Sequence, residues 1–198
     1  MIDLSLNEAE ALAAKVARGA GFSWGIAEDI GRAARALACS GAPWAEALAA
    51  LTDQTAQFER PSLHQMLHRS DDHAAGNPAN PLCPIRTALL MLDAGVDLAV
   101  GPLQLERVAL PIWIDALLLA LNPSVAYRVD YRNGGGLSSQ CDVTITSAEG
   151  QARSDEFRRA SITPELLAAL QAIAHRTYVP ESERSRARGA GGGSVDGE

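Results

Sequence analysis

Apolar positions recur at helical spacing from the start of the chain. Leu6, Ala9, Leu12, Ala13, Val16 and Ala20 stand three or four apart, so one face of a helix would carry them all. Ser5-Leu6-Asn7-Glu8, just ahead of that stripe, is a capping box. In it the Ser hydroxyl accepts from the Glu8 amide and the Glu carboxylate reaches back to the Ser amide. Gly19 and Gly21 end the pattern, the second where a left-handed cap disfavours a side chain. Ser23 opens a second helix with Ile26, Ile30, Ala33, Ala34 and Leu37 on its buried face, and Gly41 stops it. Gly25, Ala27 and Gly31 are small enough there for close backbone approach. Pro43 suits the first turn of a third helix, with Leu48, Leu51, Thr55 and Phe58 on one side. Residues 1–59 are thus expected to form a short-looped helical subdomain.

Residues 60–82 have a different character. Pro61, Gly76, Pro78, Pro81 and a run of polar groups predict an irregular, His/Asp-rich connection. A loop this long is often functional. Pro84 then suits the start of a helix carrying Ile85, Ala88, Leu89 and Leu92, which makes Cys83 its N-cap and Gly95 its stop. From about residue 97 the period shortens to two. Leu103, Leu105 and Val108 alternate with polar positions, and so do Val125, Tyr127, Val129 and Tyr131, then Cys141, Val143 and Ile145. Between them, residues 111–121 are long and apolar enough for a buried helix, and Asn133 to Gly136 supply turn chemistry for an antiparallel hairpin. A further strand is expected near 153–159, and Thr163-Pro164-Glu165 caps a last helix. The fold class is therefore α+β: helices first, then an antiparallel sheet of three or more strands with the last helix packed on it. Residues 83–180 form the α+β subdomain, and 181–198 an Arg/Gly-rich tail whose composition predicts flexibility.

Composition narrows the function classes. The 198 residues are 47% hydrophobic with a formal charge of −7, which predicts a folded protein with no nucleic-acid footprint. Cys39, Cys83 and Cys141 lie far apart, so they predict reduced thiols in the cytoplasm rather than a disulfide framework. The first residues carry no basic region followed by an apolar run, so no signal peptide is expected. The longest apolar run is interrupted by Pro111 and Asp115 and falls short of the roughly 20 residues a membrane span needs.

One window concentrates polar chemistry. His64, His68 and Asp72 are spaced by four, so a helix through them would present a His-His-Asp set to a divalent metal, the candidate cofactor. The bland reading is a solvated polar loop, and spacing alone favours it. Cys83 at a helix N-terminus would feel the positive end of the dipole, and His73 could serve it as base. The bland reading there is a small buried cap. Trp24, Trp44 and Trp113 are expected to be packing anchors.

Two resemblances follow from the residues. Ser5 to Glu8, then Ala17-Arg18-Gly19-Ala20-Gly21-Phe22-Ser23-Trp24-Gly25-Ile26-Ala27-Glu28, then Thr177-Tyr178-Val179-Pro180 and Arg188-Gly189-Ala190-Gly191, resemble the signatures of an uncharacterised, mainly proteobacterial family labelled a domain of unknown function. The resemblance makes Gly19, Gly21, Trp24, Gly25 and Glu28 a structural signature and implies no activity. The tail departs from the family pattern, in which a second acidic residue and an asparagine stand near the end. Residues 5–41 are also weakly similar to the N-terminus of malate/L-lactate dehydrogenase-like enzymes. Those carry Ser-His-Gly where Ala38-Cys39-Ser40-Gly41 stands here.

Two functions are expected from these observations. The first is an accessory or binding protein associated with small-molecule metabolism, partnered by another protein subunit or by itself as a homodimer, with no nucleic acid and no membrane. The alternative is a small-molecule enzyme built from His64, His68, Asp72, His73 and Cys83.

Overall fold

The capping box forms as its spacing predicts. The Ser5 amide donates to Glu8 Oε2 at 2.7 Å and the Glu8 amide donates to Ser5 Oγ at 3.2 Å, opening α1 (Leu6–Gly19). In the computed structural model, residues 1–54, 57–61, 74–75, 80–148 and 159–177 are described. The chain leaves α1 through a Schellman motif: Phe22 N–H bonds Ala17 C=O and Gly21 N–H bonds Arg18 C=O. Gly21 sits at φ +97°, a conformation that a Cβ would strain. Helix α2 (Trp24–Cys39) ends by the same device at Gly41, and α3 (Trp44–Gln54) follows. Thus three helices arise where the stripes put them, except that α3 ends at Gln54 and does not reach Phe58.

After a two-residue β2 (Ala74–Ala75) come α4 (Pro84–Asp93), β3 (Leu103–Val108), α5 (Ile112–Leu121), β4 (Tyr127–Arg132) and β5 (Cys141–Ser147). Cys83 is the N-cap of α4, with Pro84 in the first turn. Strands β4 and β5 form the expected hairpin, with Arg132 opposite Asp142 and Tyr127 opposite Ser147. The sheet order is β2-β3-β5-β4, with β2 parallel to β3 and the other pairs antiparallel. On β4, Arg128, Asp130 and Arg132 face solvent while the alternate residues pack inward. That is the half-buried strand its alternation predicts.

The C-terminal part differs from expectation. Strand β6 (Ala160–Ile162) pairs antiparallel with β1 (Ile2–Leu4), not with the hairpin. Most of the strand expected near 153–159 lies outside the described residues. The last helix, α6 (Pro164–Ala174), is capped by Thr163 as predicted. It packs on α1 and α3 rather than on the sheet. The physical reason is the short β6, which returns the chain to its N-terminus and so delivers α6 to the helical layer. A single-turn 3₁₀ helix (His175–Thr177) continues it beside α1.

Two tryptophans tie the layers together. The Trp113 indole N–H on α5 donates to Ala47 C=O on α3 at 3.2 Å, and Trp44 on α3 donates to Ser161 C=O on β6 at 3.3 Å. Both rings are buried, as packing anchors should be. Residues from Leu6 to Ala174 join one hydrophobic core, with α2 lying between α1 and α5. Among the described residues no helix is long and apolar enough to cross a membrane.

Candidate functional site

Helices α1 and α2 run antiparallel, and Gly31 lets them approach closely. A Cβ built there would lie 2.9 Å from Glu10 C=O and 3.2 Å from the Ala14 Cβ. Close approach leaves a shallow outer groove over small side chains. Its volume is about 390 Å³, and it is lined by Asn7, Glu10, Ala11, Ala14, Glu28 and Arg32. Helical spacing explains the lining: Asn7, Ala11 and Ala14 recur on α1, Glu28 and Arg32 on α2.

Charge is distributed along both walls. Arg35 donates to Asn7 Oδ1 and lies 3.5 Å from the Glu10 carboxylate, closing one end. Arg32 pairs with Asp29 at 3.1 Å. Asp29 is held above the usual aspartate range by desolvation, which Arg32 opposes and which the carboxylates of Glu28 and Asp93 reinforce. Glu28 has no ion-pair partner among the described residues.

Beyond the other end of the groove lies the corner between the helices. There the Arg18 guanidinium lies 4.3 Å from the centroid of the Trp24 ring, and its Nη1 donates to Phe22 C=O. The Trp24 side chain is 69% exposed. The expectation that it packs is therefore corrected: its helix position points outward, and Arg18 rather than the core holds it. A cation–π contact at an exposed site is worth about 0.5–1 kcal/mol. That is enough to fix a ring, though less than burying it would give.

The signature glycines divide by cause. Gly19 packs against α6, where an added Cβ would meet Ile173 C=O at 1.9 Å, and Gly21 is the left-handed cap. Gly25 has nothing within 4 Å of its added Cβ among the described residues, so of the close approaches expected at Gly25 and Gly31 only the second is present. Trp24, Gly25 and Glu28 are all exposed on α2; Glu28 lines the groove, and Trp24 stands one helical turn beyond it.

Of the other candidate residues that are described, Cys83 is not brought into this groove. Cys83 is 2% exposed, and burial raises its thiol above the ordinary value, against the opposing pull of nearby backbone amides and of Arg86 and Arg60. One turn along α4, Thr87 Oγ1 is buried and has no hydrogen-bond partner among the described residues. His64, His68, Asp72 and His73 lie outside the described residues. Among the described residues no group of three or more His, Cys, Asp or Glu side chains is placed to hold a metal ion. Cys141 is buried and Cys39 half-buried. Sequence reasoning singled out Trp24, Gly25 and Glu28 but missed the groove that Glu28 lines. Asn7, Ala11, Ala14 and Arg32 were legible only as the outer faces of two helices whose pairing angle the sequence does not state.

Fold and site together define an α+β protein with an exposed aromatic and a charged, alanine-floored groove on its N-terminal helix pair. Residues 4–87 match the model of a family described as a protein of unknown function (DUF3726). The match supports the resemblance to an uncharacterised domain of unknown function, and it contains the whole groove. The second signature, from Thr177, lies beyond it. No curated protein and no solved structure matches the chain.

Proposed function

We propose that this is a non-catalytic accessory or binding protein that docks a protein partner on the outer face of α1 and α2. One observation carries the reading: Trp24 is exposed and braced by Arg18 one helical turn beyond a charged groove. Trp is among the residue types enriched at the energetic centres of protein interfaces. A small-molecule site would instead enclose its ligand in mainly apolar walls. Here Glu10, Glu28 and Arg32 line an open trough, which suits a partner surface better.

The cellular setting is part of the proposal. Three cysteines outside any disulfide support a reducing cytoplasm, and the signature resemblance supports a mainly proteobacterial origin. The likeness of residues 5–41 to malate/L-lactate dehydrogenase-like enzymes is read as the same short-looped amphipathic helix pair. It carries no cofactor to this chain.

A photo-crosslinking side chain placed at position 28 in producing cells tests the reading, with position 125 as exposed control. The reading expects one discrete protein adduct from position 28 that Trp24→Ala depletes. No adduct, or the same adducts from both positions, would sink it.

The enzyme alternative keeps one favourable observation. Cys83 caps α4 near Arg60 and Arg86, with the Thr87 hydroxyl, unpartnered among the described residues, one turn along. In that reading His73 is the base, and His64, His68 and Asp72 hold a divalent metal. Metal analysis of the chelator-free protein, with His64→Ala and His68→Ala controls, decides it. Less than about a tenth of an equivalent in the wild type is incompatible with a built site.

A further inference from the structure

We infer that the partner on the α1–α2 face is a second copy of this chain, paired across a two-fold axis that crosses α2 near Ile30. The inference rests on the reading of that face as a docking surface. Three observations carry it further.

The first is charge. Glu10, Glu28 and Arg32 line this face and Arg35 closes its end beside Glu10, so two carboxylates balance two guanidiniums. The chain as a whole carries −7. Two copies therefore repel on average, while this face does not add to the repulsion. A two-fold interface is self-complementary, so it must offer both signs on one patch. A basic partner would call for an acidic face and an acidic partner for a basic one, and this face is neither.

The second is register. An axis near Ile30 sets antiparallel α2 helices side by side, with residues whose numbers sum to 60 opposite each other. Glu28, which has no ion pair among the described residues, then meets Arg32 of the partner subunit, and the pair forms twice. Trp24 falls opposite Ala36 of the partner subunit, so the aromatic ring has a small residue to cover.

The third is Gly25. It stands in the first turn of α2. Among the described residues nothing lies within 4 Å of where a Cβ would be. In this register it faces Arg35 of the partner subunit, whose long side chain needs the space.

The face is modest in size. Helices of 14 and 16 residues are about 21 and 24 Å long. Two of them side by side give an interface at the low end of the specific range.

Sedimentation velocity over a micromolar concentration series tests the inference on the full chain. The wild type should pass from monomer to dimer. Glu28→Arg and Arg32→Glu, each alone, should weaken the dimer about tenfold or more by setting like charges opposite each other. The double variant Glu28→Arg/Arg32→Glu should recover most of the loss. Both positions are exposed, and circular dichroism melts check that the variants fold. A wild type that stays monomeric overturns the inference. So does a dimer indifferent to the single reversals, or one that the double swap fails to restore. A monomeric wild type whose position-28 crosslink captures a different protein overturns the second copy while leaving the docking face standing.

Discussion

Gly19 and Gly25 belong to one signature, yet alanine should act on them in opposite directions. At Gly19 the new Cβ would lie 1.9 Å from Ile173 C=O and 2.8 Å from the Ile173 carbonyl carbon. Both atoms are backbone, so no rotamer change relieves the clash. To reach ordinary contact the end of α6 must retreat by about 1.5 Å from α1, a shift of the overpacking kind that costs about 1–3 kcal/mol. The better helix propensity of alanine offsets at most about 1 kcal/mol of that. At Gly25 only the propensity gain remains, because the site is open. For a chain of this length 1 kcal/mol moves Tm by about 2–4 °C. Thermal melts followed by far-ultraviolet circular dichroism, with urea titrations to check that the m-value holds, should show Gly19→Ala lowered by several degrees and Gly25→Ala unchanged or raised. A Gly19→Ala protein at least as stable as wild type would refute the α1–α6 packing. A Gly25→Ala protein that melts early would mean the glycine serves the fold, which removes one support of the docking face.

Other outcomes follow from single features. Ser5→Ala should cost about 1 kcal/mol by opening the capping box. The hydrogen bonds from Ser5 hold the Glu8 carboxyl below its ordinary 4.5, so the stability they give is present above that value and lost as pH falls through the lowered one. The Ser5 backbone amide supplies the largest share of that lowering and survives Ser5→Ala, so the gap between wild-type and Glu8→Ala melts should be full at neutral pH and shrink in acid; a gap that ignores pH contradicts it. Thr87→Val removes a buried hydroxyl that has no partner among the described residues, and should raise stability by about 1 kcal/mol in urea titration. A loss of that size would show that the hydroxyl has a use. The Cys83 thiol is raised by burial, so its contribution is full below the ordinary 9.0 and lost as pH climbs past it. Native-state thiol labelling at Cys83 should be slow at neutral pH, and fast labelling there would favour the enzyme alternative.

Local signals carried most of the fold. Ser5, Glu8, Thr163 and the stop glycines act within one turn, so their spacing alone decides the caps. The alternation in Tyr127–Arg132 and Cys141–Ser147 gave the hairpin for the same reason. What escaped was non-local. Ile2 to Leu4 is too short to show a period, and only its pairing with Ala160 to Ile162 makes it a strand. The seating of α6 on α1 depends on that pairing. Trp24 was misjudged because an aromatic beside a turn has equal warrant to point in or out until the neighbouring helix is placed. The groove was illegible for a related reason: Ala11 and Ala14 read as helix formers until Gly31 brings α2 against them.

Trp24 also supplies the most direct measurement. It is 69% exposed, whereas Trp44 and Trp113 are 2% and 0% exposed, so a neutral quencher such as acrylamide should reach only one of the three indoles. The quenchable component should be present at low protein concentration and absent in Trp24→Phe. It should become protected as concentration rises through the range where sedimentation shows dimer. A Trp24 that stays fully quenchable while the protein dimerises would place the contact elsewhere, and the α1–α2 face would lose its claim to be the docking surface.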